Sequence, residues 1–571
     1  MYDLVIRGGL VVDGSGAPGR EAEVALQDGQ VAAVERPGVL GAGKRELDAR
    51  GKLVTPGFVD VHTHYDAQVT WDPFLTPSSW HGATTAVMGS CGVGFAPVQE
   101  DRRSWLIQLM EGVEDIPGAA MHEGIKWAWE TFPQYLDALE KTPHAIDFAC
   151  QIPHAPVRAY VMGERGAANQ LATPEDIAAM AKIVTEAVRA GALGFSTSRT
   201  LLHRSPDGEP MPGTFASREE LFGLGHALRE AGAGLFQLAT DHARVPEEMT
   251  WMKQLARETG RPVCFNLSQT DAAPALWRDV LGQLDEAAAE GLPVFAQVAG
   301  RAIGIIMSVE ATAHPFALHP GYLELLDLPP EERRAALRRP ETRAKLLAET
   351  ALDMGEFARF VTSRFDKMFI IGDTNDYEPR PEESLAARAS RGGPSARELA
   401  YDHLAAGGML YFPLFNYSDG NLDLLRTLHQ HPRTLLGLSD AGAHCGAICD
   451  GGMPTFMLTH WVKGRTRGPT LPLEHIVRRQ TRLTAEFFGL HDRGLLAPGL
   501  KGDVNVIDLE RLALGPAKMA YDLPAGGRRL VQRAHGYEAT IVSGTVILER
   551  DEHTGALPGR LVRGPQGAAR A

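Results

Sequence analysis

Two histidines one residue apart, His62 and His64, follow the segment Pro56-Gly57-Phe58-Val59-Asp60. In an extended strand, residues two apart face the same way, so both imidazoles point to one side. Such a pair at a strand end is suited to sharing one divalent ion. Far downstream, Ser439-Asp440 ends the apolar run Leu435-Leu436-Gly437-Leu438. A carboxylate there can ligate the same ion and take a proton from its water. Cys91, in Gly89-Ser90-Cys91-Gly92-Val93-Gly94, is the fourth candidate ligand, as a thiolate. Its flanking glycines permit close backbone approach but do not fit a dinucleotide fingerprint. Asp440 is also the candidate catalytic residue.

These residues are far apart in sequence, and only a particular arrangement of strands brings them together. Eight short apolar segments read as strands: Val59–His62, Thr84–Met88, Phe148–Gln151, Ala192–Ser196, Leu235–Leu238, Pro262–Leu267, Pro293–Val298 and Leu435–Leu438. Helical segments alternate with them. Thr173-Pro174-Glu175-Asp176 offers a cap, a first-turn proline and acids at the positive dipole end, and that helix stops at Gly191. Ser217-Arg218-Glu219-Glu220 fits a capping box, and its helix stops near Gly232. Eight β-α units point to an α/β fold, a (β/α)8 TIM barrel, rather than an open doubly wound sheet. Closure makes the first and last strands neighbours, so His62, His64 and Asp440 converge.

Both chain ends read as short strands. Glu23–Leu26 and Val31–Val34 flank Asp28-Gly29, a hairpin signal, and Asp503–Ile507 and Thr540–Leu548 have the same character. Neither set buries a core alone, so residues 1–55 and 490–571 are expected to form one composite β-sandwich domain beside a barrel spanning 56–489. An insertion of about 300–433 precedes the last strand and is expected over the barrel mouth. Within it, Glu331–Gly355 reads as helical, Lys367–Asp373 and Met409–Phe415 as strands, and Asp376–Ser395 as a mobile loop.

The 571 residues carry a formal charge of −14, with 44% hydrophobic and 22% charged side chains. This acidic balance disfavours a nucleic-acid partner, which draws on clustered Lys and Arg. No apolar run is long enough to span a bilayer, and Met1–Arg7 lacks the pattern of a secretory leader. Five sparse cysteines argue for reduced thiols and a cytoplasmic location. A small-molecule substrate is the expected partner, with homo-oligomerisation open.

The motifs together resemble the amidohydrolase superfamily and, within it, the N-acyl-D-amino-acid deacylase (D-aminoacylase) group. The resemblance runs through the Asp3–Gly9 opening, the Pro56–His64 motif, the Gly89–Pro97 loop, Val113-Glu114-Asp115-Ile116-Pro117, Ser439-Asp440-Ala441-Gly442 and Gly494–Asp503. It implies a barrel with a terminal β-sandwich, zinc, and hydrolysis of N-acyl groups. It also implies that His62 and His64 are the first-strand ligands, Cys91 the cysteine ligand and Asp440 the catalytic aspartate. One departure stands out. The group places a histidine on the fifth strand and another on the sixth, where this chain reads Gln237-Leu238-Ala239-Thr240-Asp241-His242 and Phe265-Asn266-Leu267-Ser268-Gln269. One ion rather than two is therefore expected. Arg199, His203, His154 and His444 follow strands or Asp440 and are the candidate substrate-binding residues. Arg199 suits a substrate carboxylate. The rival chemistry is hydrolysis of a cyclic amide, an N-formyl or a carbamate-like compound. The rival from another class is an inactive metal-binding homologue.

Overall fold

The computed structural model describes residues 1–372 and 375–567. Its centre is made of parallel strands in two runs. Phe58–Asp60, Ala83–Met88 and Asp147–Cys150 form one, and Ile152–Pro153, Gly194–Ser198, Leu235–Ala239, Val263–Asn266, Val294–Val298 and Thr434–Leu436 form the other. Asp147–Cys150 and Ile152–Pro153 are consecutive, so they count here as one central strand, the third of eight. At the other end, Thr63 bridges Ala441 in parallel sense, His64 N–H donates to Ala441 O at 2.8 Å, and Asp440 N–H donates to His62 O at 3.2 Å. The eight expected strands are all present, with ends moved by one or two residues. The last stops at Leu436, because Leu438 already has φ 61°, outside the strand region.

Local chemistry explains the connecting helices. Thr173 caps Pro174–Ala190 in a full capping box with Asp176, and Gly191 ends it. Ser217 Oγ accepts from Glu220 N–H at the start of Arg218–Ala231, which closes on Gly232 at φ 74°. There the reciprocal half of the expected box is absent. The helices bury an apolar stripe against the strands, including Met180, Val184, Leu224, Leu228, Met252 and Leu255.

The two chain ends share one nine-stranded sheet. Val504–Ile507 runs antiparallel to Leu53–Pro56, joining the N-terminal strands to Tyr537–Val542, Thr545–Glu549 and Glu552–His553. Asp28 (φ 50°) and Gly29 (φ 78°) make the predicted tight hairpin between Arg20–Gln27 and Gln30–Glu35. Leu4, Ile6, Val24, Val506 and Ile541 pack in its core. Arg493, fully buried, donates to the Asp147 carboxylate at 2.7 Å and pins the C-terminal segment to the third central strand.

The insertion forms a small unit of its own. Gly304–Met307 and Phe369–Ile371 flank Met409–Pro413 in an antiparallel sheet, with a core that includes Met307, Phe316, Val361 and Phe412. Two expectations need correction. Glu331–Gly355 is not one helix: Pro330–Leu337 and Pro340–Ala348 are separated at Pro340, and the next helix, Glu356–Ser363, begins beyond the segment. The stretch Asp376–Ser395 is not a free loop. Tyr377 and Glu378 are buried, Glu378 takes both an Arg465 ion pair and the Leu422 N–H, and Leu385–Ser390 is helical. Asp373, the end of the expected strand Lys367–Asp373, lies outside the described residues, as do 568–571.

Candidate metal centre

His62 and His64 leave the first central strand side by side, with ring centroids 5.5 Å apart. Their donor nitrogens and Cys91 Sγ all lie within 4.8 Å of one another and are buried. His62 Nε2 is 3.2 Å from Cys91 Sγ and 3.3 Å from Asp440 Oδ1. His64 Nε2 is 3.6 Å from the same Asp440 oxygen. The four side chains singled out from sequence therefore meet at one point. Two of the four sit on backbone that most residues avoid: Cys91 has φ 56° and Asp440 φ 47°. Left-handed non-glycine residues cost of order 1 kcal/mol or more each and concentrate at functional sites.

The charges fit the grouping. Burial opposes ionisation of His62, but the Cys91 sulfur and the Asp440 carboxylate outweigh it and push its pKa up to about 9. Burial likewise opposes charge on His64, and Glu114 and Asp440 raise it well above the ordinary value. Burial raises the Cys91 thiol and the Asp440 carboxyl, yet the two imidazoles hold both below their usual values. Two soft or hard anions and two imidazoles in one buried cluster form a donor set for a divalent cation, which displaces the imidazole protons when it binds.

Glu114 was not assigned from sequence. It ends the helix Arg103–Glu114, its side chain is 1% exposed, and both carboxylate oxygens lack a hydrogen-bond partner. Oε1 is 3.4 Å from His64 Nδ1, and Oε2 is 3.7 Å from His444 Nε2. A buried carboxylate at the negative end of a helix is unfavourable without positive charge nearby. Glu114-Asp115 ahead of Pro117 carried that signal in the sequence, but nothing local named its partners. The glutamines were also missed. His62 Nδ1 meets Gln297 Oε1 at 2.6 Å and Gln237 Nε2 at 3.0 Å, and Gln151 Nε2 donates to Gln237 Oε1 at 3.1 Å. The shorter contact, to the Gln297 amide oxygen, points to a proton on Nδ1, so that Nε2, beside Cys91 and Asp440, is the nitrogen that a metal would deprotonate and bind. Gln297→Leu is therefore expected to weaken metal retention about 10–100-fold, as lost orienting partners do. A competitive chelator titration of folded variant measures it, and wild-type retention would remove this role from Gln297.

The centre opens into a cavity of about 540 Å³ between the strand ends and the insertion. Asp440 is the most exposed of the four, at 14% of its side chain. His203 and His444 line this space. His203 Nδ1 is 3.1 Å from Ser198 Oγ, and burial lowers its pKa to about 4, so it is neutral at pH 7. His242, on the fifth-strand loop, also faces the cavity. The other two expected substrate-binding residues do not line it. Arg199 spends its guanidinium on Glu248 and on the Thr214 and Ala216 carbonyls. His154 is fully buried between Thr197 Oγ1 and Glu220 Oε1. Each has satisfied partners within the wall, which is why neither turns to the cavity.

Comparison with known proteins places this geometry among relatives. Residues 45–548 match the amidohydrolase family. The D-aminoacylase of Alcaligenes xylosoxydans xylosoxydans is 27% identical, over 98% of this chain and 97% of its own. A solved N-acyl-D-glutamate deacylase from Bordetella bronchiseptica, complexed with zinc and a phosphonate mimic of the tetrahedral intermediate, is 25% identical. It covers 98% of this chain and 99% of its own, with TM-score 0.65. A solved D-aminoacylase described by its binuclear metal centre, with one-metal activation and second-metal attenuation, has TM-score 0.65 at 23% identity, over 99% and 100% of the two chains.

Proposed function

Because the chain belongs to the amidohydrolase family, we propose that it is a metal-dependent hydrolase of a non-peptide amide C–N bond, acting on an N-acyl compound. The observation that carries this reading is the convergence of His62, His64, Cys91 and Asp440 at one buried point that opens into a cavity. The two runs of parallel strands are read as one closed (β/α)8 barrel over residues 56–489, supported by the bonds that lace His62 and His64 to Asp440 and Ala441. Residues 1–55 and 490–571 are read as a composite β-sandwich domain, and the insertion of about 300–433 as the cover of the mouth.

His62, His64, Cys91 and Asp440 are the proposed ligands, and one zinc ion is the proposed cofactor. The orphaned Glu114 oxygens beside His64 suit a site completed by positive charge. The zinc-bound relative favours zinc. A count of one rests on Gln237 and Asn266, which stand on the fifth and sixth strands without an imidazole. When bound, a divalent ion supplies Lewis acidity, activating water near neutral pH and offsetting negative charge at a carbonyl oxygen.

The chain's own residues do the rest. Asp440, the carboxylate of the ligand cluster and one of those that line the cavity, accepts the proton of the attacking water and returns it to the departing nitrogen. Gln297 orients the His62 imidazole through Nδ1, and the Glu114 carboxylate, 3.4 Å from His64 Nδ1, favours a proton on that nitrogen, so that both Nε2 atoms face inward. His203, His242 and His444 are placed to hydrogen-bond the substrate amide. The insertion helix Glu356–Ser363, with Val361 and Thr362 on the cavity wall, limits water.

Chelation tests the reading. Stripping the purified protein should abolish hydrolysis of a panel of N-acyl amines, and one equivalent of zinc should restore it. Activity that survives complete removal would refute metal dependence. A protein that binds the ion and turns over no N-acyl, cyclic, N-formyl or carbamate substrate would be an inactive homologue.

A further inference from the structure

The cavity wall is apolar and, wherever it is charged, acidic. Ile303, Leu318, Phe357, Val361, Leu414 and Phe415 make up much of it. Among the described residues that line it, there is no lysine or arginine. Glu111, Glu114, Asp115 and Asp440 do line it. An anion entering this space meets four acidic side chains and, among the described residues, no lysine or arginine. Arg528 comes within 3.5 Å of Thr312 Oγ1 at the edge, but its charge faces Asp115, whose carboxylate also takes that hydroxyl. Arg199, the one guanidinium that sequence suggested for a carboxylate, is consumed inside the wall.

The apolar lining continues outward. Leu202 and Phe357 line the cavity yet are 43% and 48% exposed, and Leu201, Leu352 and Met354 nearby in the chain are exposed as well. Single exposed apolar side chains mean little, but Leu202 and Phe357 both line the cavity and reach solvent, so its wall is apolar out to the opening. Two of the polar groups that remain, His203 and His242, are imidazoles that burial keeps neutral at pH 7. His242 Nδ1 is buried without a partner, and burial lowers the pKa of His242 to about 4. A neutral imidazole suits an amide and gives no ion pair to an anion.

We propose that the preferred substrate is an uncharged, apolar N-acyl amide: a hydrocarbon acyl chain lies along the Leu202–Phe357 wall, and no free carboxylate adjoins the scissile nitrogen. A carboxylate would enter a largely apolar space lined by acidic side chains, with no lysine or arginine among the described lining residues to receive it. This rests on the amide-hydrolase reading above.

Matched ligands test it. N-octanoyl-leucinamide, N-octanoyl-leucine and N-acetyl-leucinamide, in both enantiomers, are compared on zinc-loaded enzyme by kcat/KM and by calorimetric binding. The neutral octanoyl amide should exceed its acid at least tenfold and the acetyl amide at least tenfold. Phe357→Asp, at a half-exposed position on the wall that receives the acyl chain, should erase the chain-length preference, bringing kcat/KM for the octanoyl amide down to that for the acetyl amide. Equal or better use of the acid, or no binding of the octanoyl amide, would overturn the proposal. Zinc-dependent turnover that favours the acid would overturn it while leaving the hydrolase reading intact. Selective binding of the neutral amide without turnover of any amide would instead strike the hydrolase reading.

Discussion

Asp440→Asn should lower kcat by about 10²–10⁴-fold, the usual worth of a positioned proton carrier, while the metal stays largely bound. Its Oδ1 lies 3.3 Å and 3.6 Å from the two imidazole nitrogens, so a ligand oxygen is retained in the amide. What the amide loses is basicity. It cannot take a proton from water or hand one to nitrogen. Substrates with better leaving groups, such as anilides, should lose less than alkyl amides, because protonation of the nitrogen matters less for them. Metal analysis and single-turnover rates on the same preparation separate the two effects. A near-normal rate would take the proton-carrying role from Asp440.

His64→Ala should have the next largest effect, through binding rather than proton transfer. It removes one of four proposed donors and leaves the Glu114 carboxylate facing only His444 across 3.7 Å. Metal affinity should fall by more than the roughly 10–100-fold typical of losing an orienting partner. The metal-free variant should also unfold more easily, by about 3–5 kcal/mol, the cost of leaving a buried charge unpaired. Chelator competition and denaturant titration measure these separately. Wild-type metal retention would exclude His64 from the ligand set.

Much of this was legible before any coordinates. The eight strands announce themselves by short apolar runs, and the helices by local capping chemistry at Thr173 and Ser217, which needs no distant partner. His62 and His64 are visible because a two-residue spacing on a strand fixes their direction. Asp440 is legible once the first and last central strands are taken as neighbours, and the Asp440 N–H to His62 O bond sets them side by side. Residues whose meaning depends on distant neighbours were not. Gln297 and Gln237 meet a histidine 235 and 175 positions away; in sequence Gln237 read only as a missing imidazole and Gln297 only as part of a strand. Glu114 ends a helix whose direction relative to the mouth no local pattern fixes. Arg199 and His154 were misjudged for the same reason. A polar side chain just past a strand can turn to the cavity or into the wall, and Glu248 and Glu220 decided which.

The central claim is that one divalent ion sits where these side chains meet. Anomalous diffraction at the zinc edge, on crystals of zinc-loaded protein, tests it most directly. A single strong peak within coordination distance of His62 Nε2, His64 Nε2, Cys91 Sγ and Asp440 is the expected result. No peak at that point, or a peak held by other residues, would contradict it.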